Sequence, residues 1–408
     1  MKRLFRGPRP ALAATAGTIV LLTAMTALGH FANNIFLPSL PAIARDLGTP
    51  ISVVQLALTV FLATLAVAQL VVGPLADRFG RRPTILAGLI LFMLGSAVCA
   101  QAPAIDVVMI GRVLQAAGAG ASLVAARAVT RDAFAGPDLA RVMATTSMGF
   151  SVVPSMVPFL GGAIQEAAGW RWSFWAALAV GAVVLLCVLA RLPETNREHL
   201  RFRHPGTLLT AYLPVIADRR LLGYAAAGMG AMGGLFAFYA GSPTIFIERL
   251  GISPTGYGLY PPISVMGFLA GSVFARRNAG RIREEHLVAI GLAILALGAI
   301  AMVTPPALGL LHRFALIGAM AIFVAGLGIV MPISMAAALR IFPDRAGTAA
   351  ALLGFLQMSA GALGAALASA LKAPLDVLAF PTAMLVFAVL ALLGFSTLVL
   401  LGTSARRS

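Results

Sequence analysis

Carboxylates are scarce in this chain: 14 Asp and Glu stand against 30 Lys and Arg in 408 residues. Charged residues of both signs make up only 11%, which excludes an ordinary solvated globular domain and a disordered charged tail. There are two cysteines, Cys99 and Cys187, and both lie inside apolar runs without metal-ligand or redox spacing. That excludes a disulfide framework and a thiolate metal site, and reads as two small buried hydrophobes. Histidine is sparse too, with five in the chain, and His199 and His204 fall in a basic polar stretch. No nucleophile–base pair, metal cluster or phosphate loop can be assembled, so the chain reads as no enzyme, with no cofactor and no metal.

What is abundant is apolar sequence. Hydrophobic residues make up 60% and mean hydropathy is +0.95. Runs of roughly 20 apolar residues, the length that crosses a bilayer as a helix, recur from end to end. Twelve are legible: 16–40, 51–73, 84–101, 107–129, 142–166, 172–191, 221–246, 257–275, 286–304, 314–339, 347–371 and 379–401. The expected fold class is an all-α polytopic membrane protein with twelve transmembrane helices. The first run is too long, and too polar in its second half, for a cleaved signal peptide.

The net charge of +16 could suggest nucleic acid, but its distribution follows the membrane. An even number of spans puts both termini on one side. Of the 30 Lys and Arg, 24 fall on that side, five on the other, and Arg112 lies within a run. This asymmetry predicts cytoplasmic termini in a multi-pass inner-membrane protein with the lipid bilayer as its partner, and no nucleic acid.

The longest polar stretch, 191–220, follows six runs and precedes six more. It divides the chain into an N-terminal half (1–190), a cytoplasmic linker (191–220) and a C-terminal half (221–408). The halves are weakly similar. GPLADRFGRRP (73–83) follows the second run, and GSVFARRNAGR (271–281) follows the second run of the other half, without the Asp.

GPLADRFGRRPT (73–84) is the most specific string. Gly73 and Gly80 suit close helix approach and a tight turn, Asp77 can cap a helix or pair with arginine, and Arg78, Arg81 and Arg82 suit an anionic leaflet. In this string, and in its six-plus-six repeat, the chain resembles the major facilitator superfamily. The resemblance implies two six-helix halves that rock about a midplane cavity, with these six residues as a gating latch. NNIFLPSLPAIARDLG (33–48), AARAVTRDAF (125–134), the fifth run and RLPET (191–195) resemble the twelve-span drug:proton antiporters, in particular the bicyclomycin and chloramphenicol exporters. The fifth run carries Gly149, Pro154, Pro158, Gly161 and Gly162. Two prolines kink a helix and a glycine pair lets a neighbour approach, and the stretch resembles the antiporter motif, a flexible seam between halves.

Arg112 is the costliest residue to place. A guanidinium at membrane depth is kept for a task and cannot deprotonate to escape the cost. With Gln115, three residues on, it forms one polar face. Thr23, Thr26, His30, Asn33 and Asn34 form another along the first run, with His30, Asn33 and Asn34 as candidates for a cavity wall or for helix–helix bonding. Phe236 and Tyr239 share a face of the seventh run and suit apolar ligands, with Phe150 as a further candidate. The resembled exporters usually carry an Asp at the position of Asn34, and one type a Glu at that of Thr26; both are neutral here. A cavity with Arg112 and no acid favours neutral or anionic substrates, and leaves His30 as the best titratable group.

The expected function is therefore secondary-active efflux of amphiphilic drug-like small molecules by alternating access, with proton antiport, in a monomer. Two alternatives stand beside it: an uncoupled or differently coupled carrier of a small metabolite, and a non-transporting membrane receptor.

Overall fold

The computed structural model describes Leu12 and residues 15–196, 212–342 and 346–400. Twelve long helices account for most of them: α1 (Ala16–Ile35), α2 (Ile51–Phe79), α3 (Arg81–Ala100), α4 (Ile105–Ala133), α5 (Gly136–Ala168), α6 (Arg171–Arg191), α7 (Arg219–Pro243), α8 (Tyr260–Asn278), α9 (Glu284–Ala307), α10 (Arg313–Ile341), α11 (Ala346–Ala370) and α12 (Ala379–Phe395). Eleven helical segments are long and apolar enough to cross a membrane. The remaining helix, α5, has 33 residues and carries the Pro/Gly-rich stretch. Large apolar side chains stand exposed around the outside, Leu186 at 64% and Met266 at 70% among them, as lipid-facing surfaces require.

The packing repeats. In the first half α4 lies against α3, α2 and α1, α5 against α1, and α6 against α3; in the second α10 lies against α9, α8 and α7, α11 against α7, and α12 against α9. Across the halves α2 packs on α11, and α5 on α8 and the short helix Pro254–Gly258. Adding six to each helix number carries every one of these pairs into another, the pattern of two six-helix repeats around one axis.

The described cross-half bonds gather at the end opposite the chain termini. Glu166 on α5 accepts from the Thr255 amide at 2.9 Å, Ser369 Oγ donates to Ser52 O at 2.5 Å, and Arg45 lies 3.6 Å from Glu248. The turn Leu37–Ser39 also touches α7 and the Pro254–Gly258 helix. That end is shut. The bridge nearer the termini is Gln69, whose Nε2 donates to Gly354 O at 3.2 Å between α2 and α11.

Two boundaries differ from the sequence expectation. The second span runs on through Pro74 to Phe79, so Gly73, Asp77 and Arg78 are helical and the turn is Gly80 alone. Of the expected linker, 197–211 lies outside the described residues, while 212–216 are helical.

Candidate functional site

Arg112, on α4, is fully buried, and among the described residues its cage is built without a carboxylate. Nη1 donates to Ala32 O at 3.2 Å and to Gln115 Oε1 at 2.8 Å. Nη2 donates to Asn33 Oδ1 at 2.9 Å, and Nε to Ala57 O at 3.4 Å. The guanidinium carbon stands 4.3 Å from the ring centroid of Phe36 and 4.0 Å from that of Phe61. Four neutral oxygens take the N–H groups and two ring faces take the charge. Gln115 then donates to Ser96 Oγ at 2.9 Å, which ties α3 into the network. Arg112, Gln115 and Asn33 thus join α1, α2, α3 and α4 inside the first half, rather than lining open space.

The polar face of α1 divides accordingly. Asn33 turns inward to Arg112, and Thr26 is buried with its hydroxyl on Thr23 O. Asn34 folds back, Nδ2 donating to His30 O at 2.7 Å. Asn33 Nδ2 and Asn34 Oδ1 are buried with no hydrogen-bond partner among the described residues, and such atoms are costly unless a ligand or water reaches them. His30 is partly exposed. On α7, Phe236 is buried against Gly361, while Tyr239, edge-on to it at 5.7 Å, is partly exposed. Phe150 lies on helical backbone in α5; its side chain, like that of Pro154, lies outside the described set.

The 73–84 string centres on Arg81. Its guanidinium meets Asp77 at 2.5 Å and Asp132, near the end of α4, at 3.0 Å. Arg81 and Arg82 open α3, where the helix dipole disfavours cations. Glu194, just past α6, answers this: its carboxylate accepts from the Arg81 and Arg82 amides, each at 3.0 Å. Asn196 donates to Asp77 O at 2.8 Å, and Arg82 to Leu189 O at 3.0 Å. Arg78 stands over the Phe79 ring at 5.0 Å. Gly80 has φ +97°, and a Cβ there would lie 2.6 Å from Glu194 Oε2. Gly73 has open space where its Cβ would be, so close helix approach is not its reason. In the second half the same place holds Arg340, near the end of α10, paired with Glu284, the first residue of α9. The Asp missing from 271–281 is thus offset by an ion pair of reversed polarity.

The seam residues meet both halves. A Cβ on Gly161 would stand 1.9 Å from Ile35 O of α1, and one on Gly162 would stand 2.2 Å from Pro254 O of the second half. Pro158 O lies against Gly258, whose Cβ would stand 2.6 Å from it. Gly149, like Phe150, contributes helical backbone to α5.

The profile of the Major Facilitator Superfamily matches residues 22–365. The chain belongs to this superfamily. Multidrug resistance protein D of Escherichia coli (strain K12) is 30% identical over 340 residues, covering 83% of this chain and 85% of that protein. The bicyclomycin resistance protein homolog of Haemophilus influenzae is 29% identical over 355 residues, covering 87% and 89%. Among solved structures, a peptide transporter POT variant superposes with a TM-score of 0.74 at 16% identity, covering 93% of each chain, which speaks for the fold alone. The superfamily's members are multi-pass membrane transporters of small molecules, and the relatives named here are drug-resistance members of it.

Three features of this superfamily member escaped the sequence reading. Phe36 and Phe61 were unremarked hydrophobes until the fold placed them against Arg112. Glu194 had a signal: a helix that opens on two arginines needs a carboxylate at its N-terminus. Arg127 reads in the sequence as an inside charge within the AARAVTRDAF string. It is exposed, although Ala125, Ala126, Ala128, Val129 and Thr130 around it are buried.

Proposed function

We propose that this chain is a secondary-active exporter of amphiphilic drug-like small molecules, neutral or anionic, that alternates access by rocking its two six-helix halves. The observation that carries the reading is the pairing of a shut end, sealed by Glu166–Thr255 and the Gly161–Gly162 seam, with partly exposed His30 and Tyr239 and exposed Arg127 on the helices α1, α7 and α4. The drug-resistance names of the relatives support export as the direction. The latch around Arg81 is the element that rearranges as the halves rock, and Arg112 holds the first half rigid while it does. Protons are the proposed coupling ion, with His30 as carrier; cytoplasmic termini follow from the positive-inside distribution.

A second reading is an uncoupled carrier. It is favoured by one observation: Asn34, at the position where the resembled exporters usually carry an Asp, is a neutral amide folded back onto His30 O.

Everted vesicles containing the protein separate the two. Wild type and His30→Ala are compared for proton movement on adding neutral, anionic and cationic drug-like compounds. Proton flux with neutral or anionic compounds, lost in the variant, is the expected result. Labelled-compound movement without proton flux would sink the antiport reading.

A further inference from the structure

We infer that the linker-side end of the second half holds the phosphate headgroup of an anionic phospholipid, taken by Arg219, Arg220 and Tyr224. That end meets the cytoplasmic leaflet in the orientation proposed above, and the choice of leaflet rests on that reading.

A cavity of about 700 Å³ opens there between the starts of α7 and α9, the end of α10 and Val399 beyond α12. Its charges divide by what holds them. Three carboxylates line it, and each has a partner. Asp218 Oδ1 accepts from the Leu221 amide at 2.8 Å, Glu284 pairs with Arg340, and Glu285 lies 3.7 Å from Arg283. Arg219 and Arg220 line it too, and among the described residues they make no hydrogen bond or ion pair. Tyr224, one turn on, is held with its ring edge-on to Phe395 at 5.6 Å. It is only 5% exposed, it borders the cavity, and its hydroxyl has no hydrogen-bond partner among the described residues. A hydroxyl buried to that degree is costly unless something in the cavity bonds it.

Two guanidiniums and a hydroxyl on one helical turn suit a phosphate, whose oxygens match the planar fork of arginine. The carboxylates are already held, so no free acid takes the ammonium of a zwitterionic headgroup, and a headgroup with net negative charge is selected. The source is a lipid because apolar surface adjoins the arginines. Leu213 at 62% and Ile216 at 45% stand exposed just before Ala217, which lines the cavity. Exposed apolar side chains beside a basic pocket at a helix end place acyl chains and headgroup together. The corresponding place in the first half is bridged instead. Glu194, past α6, accepts from the Arg81 and Arg82 amides of α3, and Arg191 Nη1 lies 2.8 Å from where a Cβ of Gly17 on α1 would stand.

The test is native mass spectrometry of the detergent-purified full chain, reading the affinity of the first lipid bound. The probes are dioleoyl-phosphatidylglycerol and dioleoyl-phosphatidylcholine. Wild type is expected to prefer phosphatidylglycerol by about tenfold, the scale of one charge-assisted contact. Arg219→Gln/Arg220→Gln is expected to lose the preference, and Arg219→Lys/Arg220→Lys to keep part of it. Tyr224→Phe, which changes no charge, is expected to weaken phosphatidylglycerol binding by roughly threefold or more. Arg276→Gln/Arg277→Gln, an equal loss of charge at the end of α8, is expected to keep the full preference. A wild type without preference would overturn the inference, as would an equal loss in the Arg276/Arg277 variant, which marks bulk attraction to a basic surface. Displacement of the lipid by millimolar inorganic phosphate would assign the cavity to a soluble phosphate and overturn the lipid source. Binding in detergent reads neither orientation nor transport. An intact preference in a protein whose termini prove protease-accessible from the other side would remove the orientation reading and leave the headgroup site standing.

Discussion

Nη2 of Arg112 donates to Oδ1 of Asn33 at 2.9 Å, and this bond joins the fourth helix to the first at the centre of the first half. It fixes the Asn33 amide with its oxygen toward the guanidinium and its NH2 left over. A charge that costs several kcal/mol to bury is held by fixed dipoles from three helices and two ring faces. Such a charge ties the helices around it together, and on the proposed mechanism it acts through the rigidity it imparts.

Arg112→Ala leaves Asn33, Gln115 and two carbonyls unsatisfied in a buried space. The expected cost is about 3 kcal/mol or more, with loss of transport. Arg112→Lys should fail nearly as badly, because one ammonium cannot reach the same oxygens or lie flat between Phe36 and Phe61. Thermal unfolding of the purified variants, beside vesicle transport, checks both. A lysine variant with wild-type stability and turnover would contradict the cage.

Gly162→Ala places a methyl group where the Pro254 carbonyl of the other half stands. The shut end should no longer close, and transport should fall at least about tenfold while the protein still inserts. Gly161→Ala should disturb the first half itself as well, because its neighbour is Ile35. Spin-label distances across the Glu166–Thr255 end would lengthen in the Gly162 variant. Unchanged distances with normal turnover would refute a seam there.

Glu194→Ala uncaps a helix that begins with two arginines. A loss of about 1–2 kcal/mol is expected, together with faster proteolysis just after Asn196, which Glu194 and Asp77 also hold. Gly80→Ala should act in the same direction through a different cause, a positive φ plus contact with the same carboxylate. Limited proteolysis of the membrane-embedded protein reads both, and a cleavage rate equal to wild type in each would set the cap aside.

Asp132→Asn weakens one of the two ion pairs on Arg81. Turnover should change more than ligand affinity, since Asp132 holds the latch arginine Arg81. If the pseudo-repeat shares this duty, Glu284→Gln, which weakens the pair with Arg340, should have an effect of similar size. Single-turnover transport against equilibrium binding separates the two quantities. A pure affinity effect in either variant would argue against a latch.

The class of the molecule was legible in the sequence because hydrophobic run length and the sidedness of Lys and Arg are one-dimensional records of a bilayer. Twelve spans, the repeat and the family motif needed no coordinates, and α5 could be marked as special from Pro154, Pro158, Gly161 and Gly162 alone. Partnership was not legible. Nothing in the spacing of Arg112 and Asn33 said that they face one another and not open space, because periodicity assigns a residue to a helix face and not to the neighbour of that face. Nor could it tell that Arg81 would be held by Asp132 and capped by Glu194, or that Arg127 would stand exposed among buried neighbours. Those relationships join residues tens of positions apart, and only the packing of helix on helix decides which faces meet.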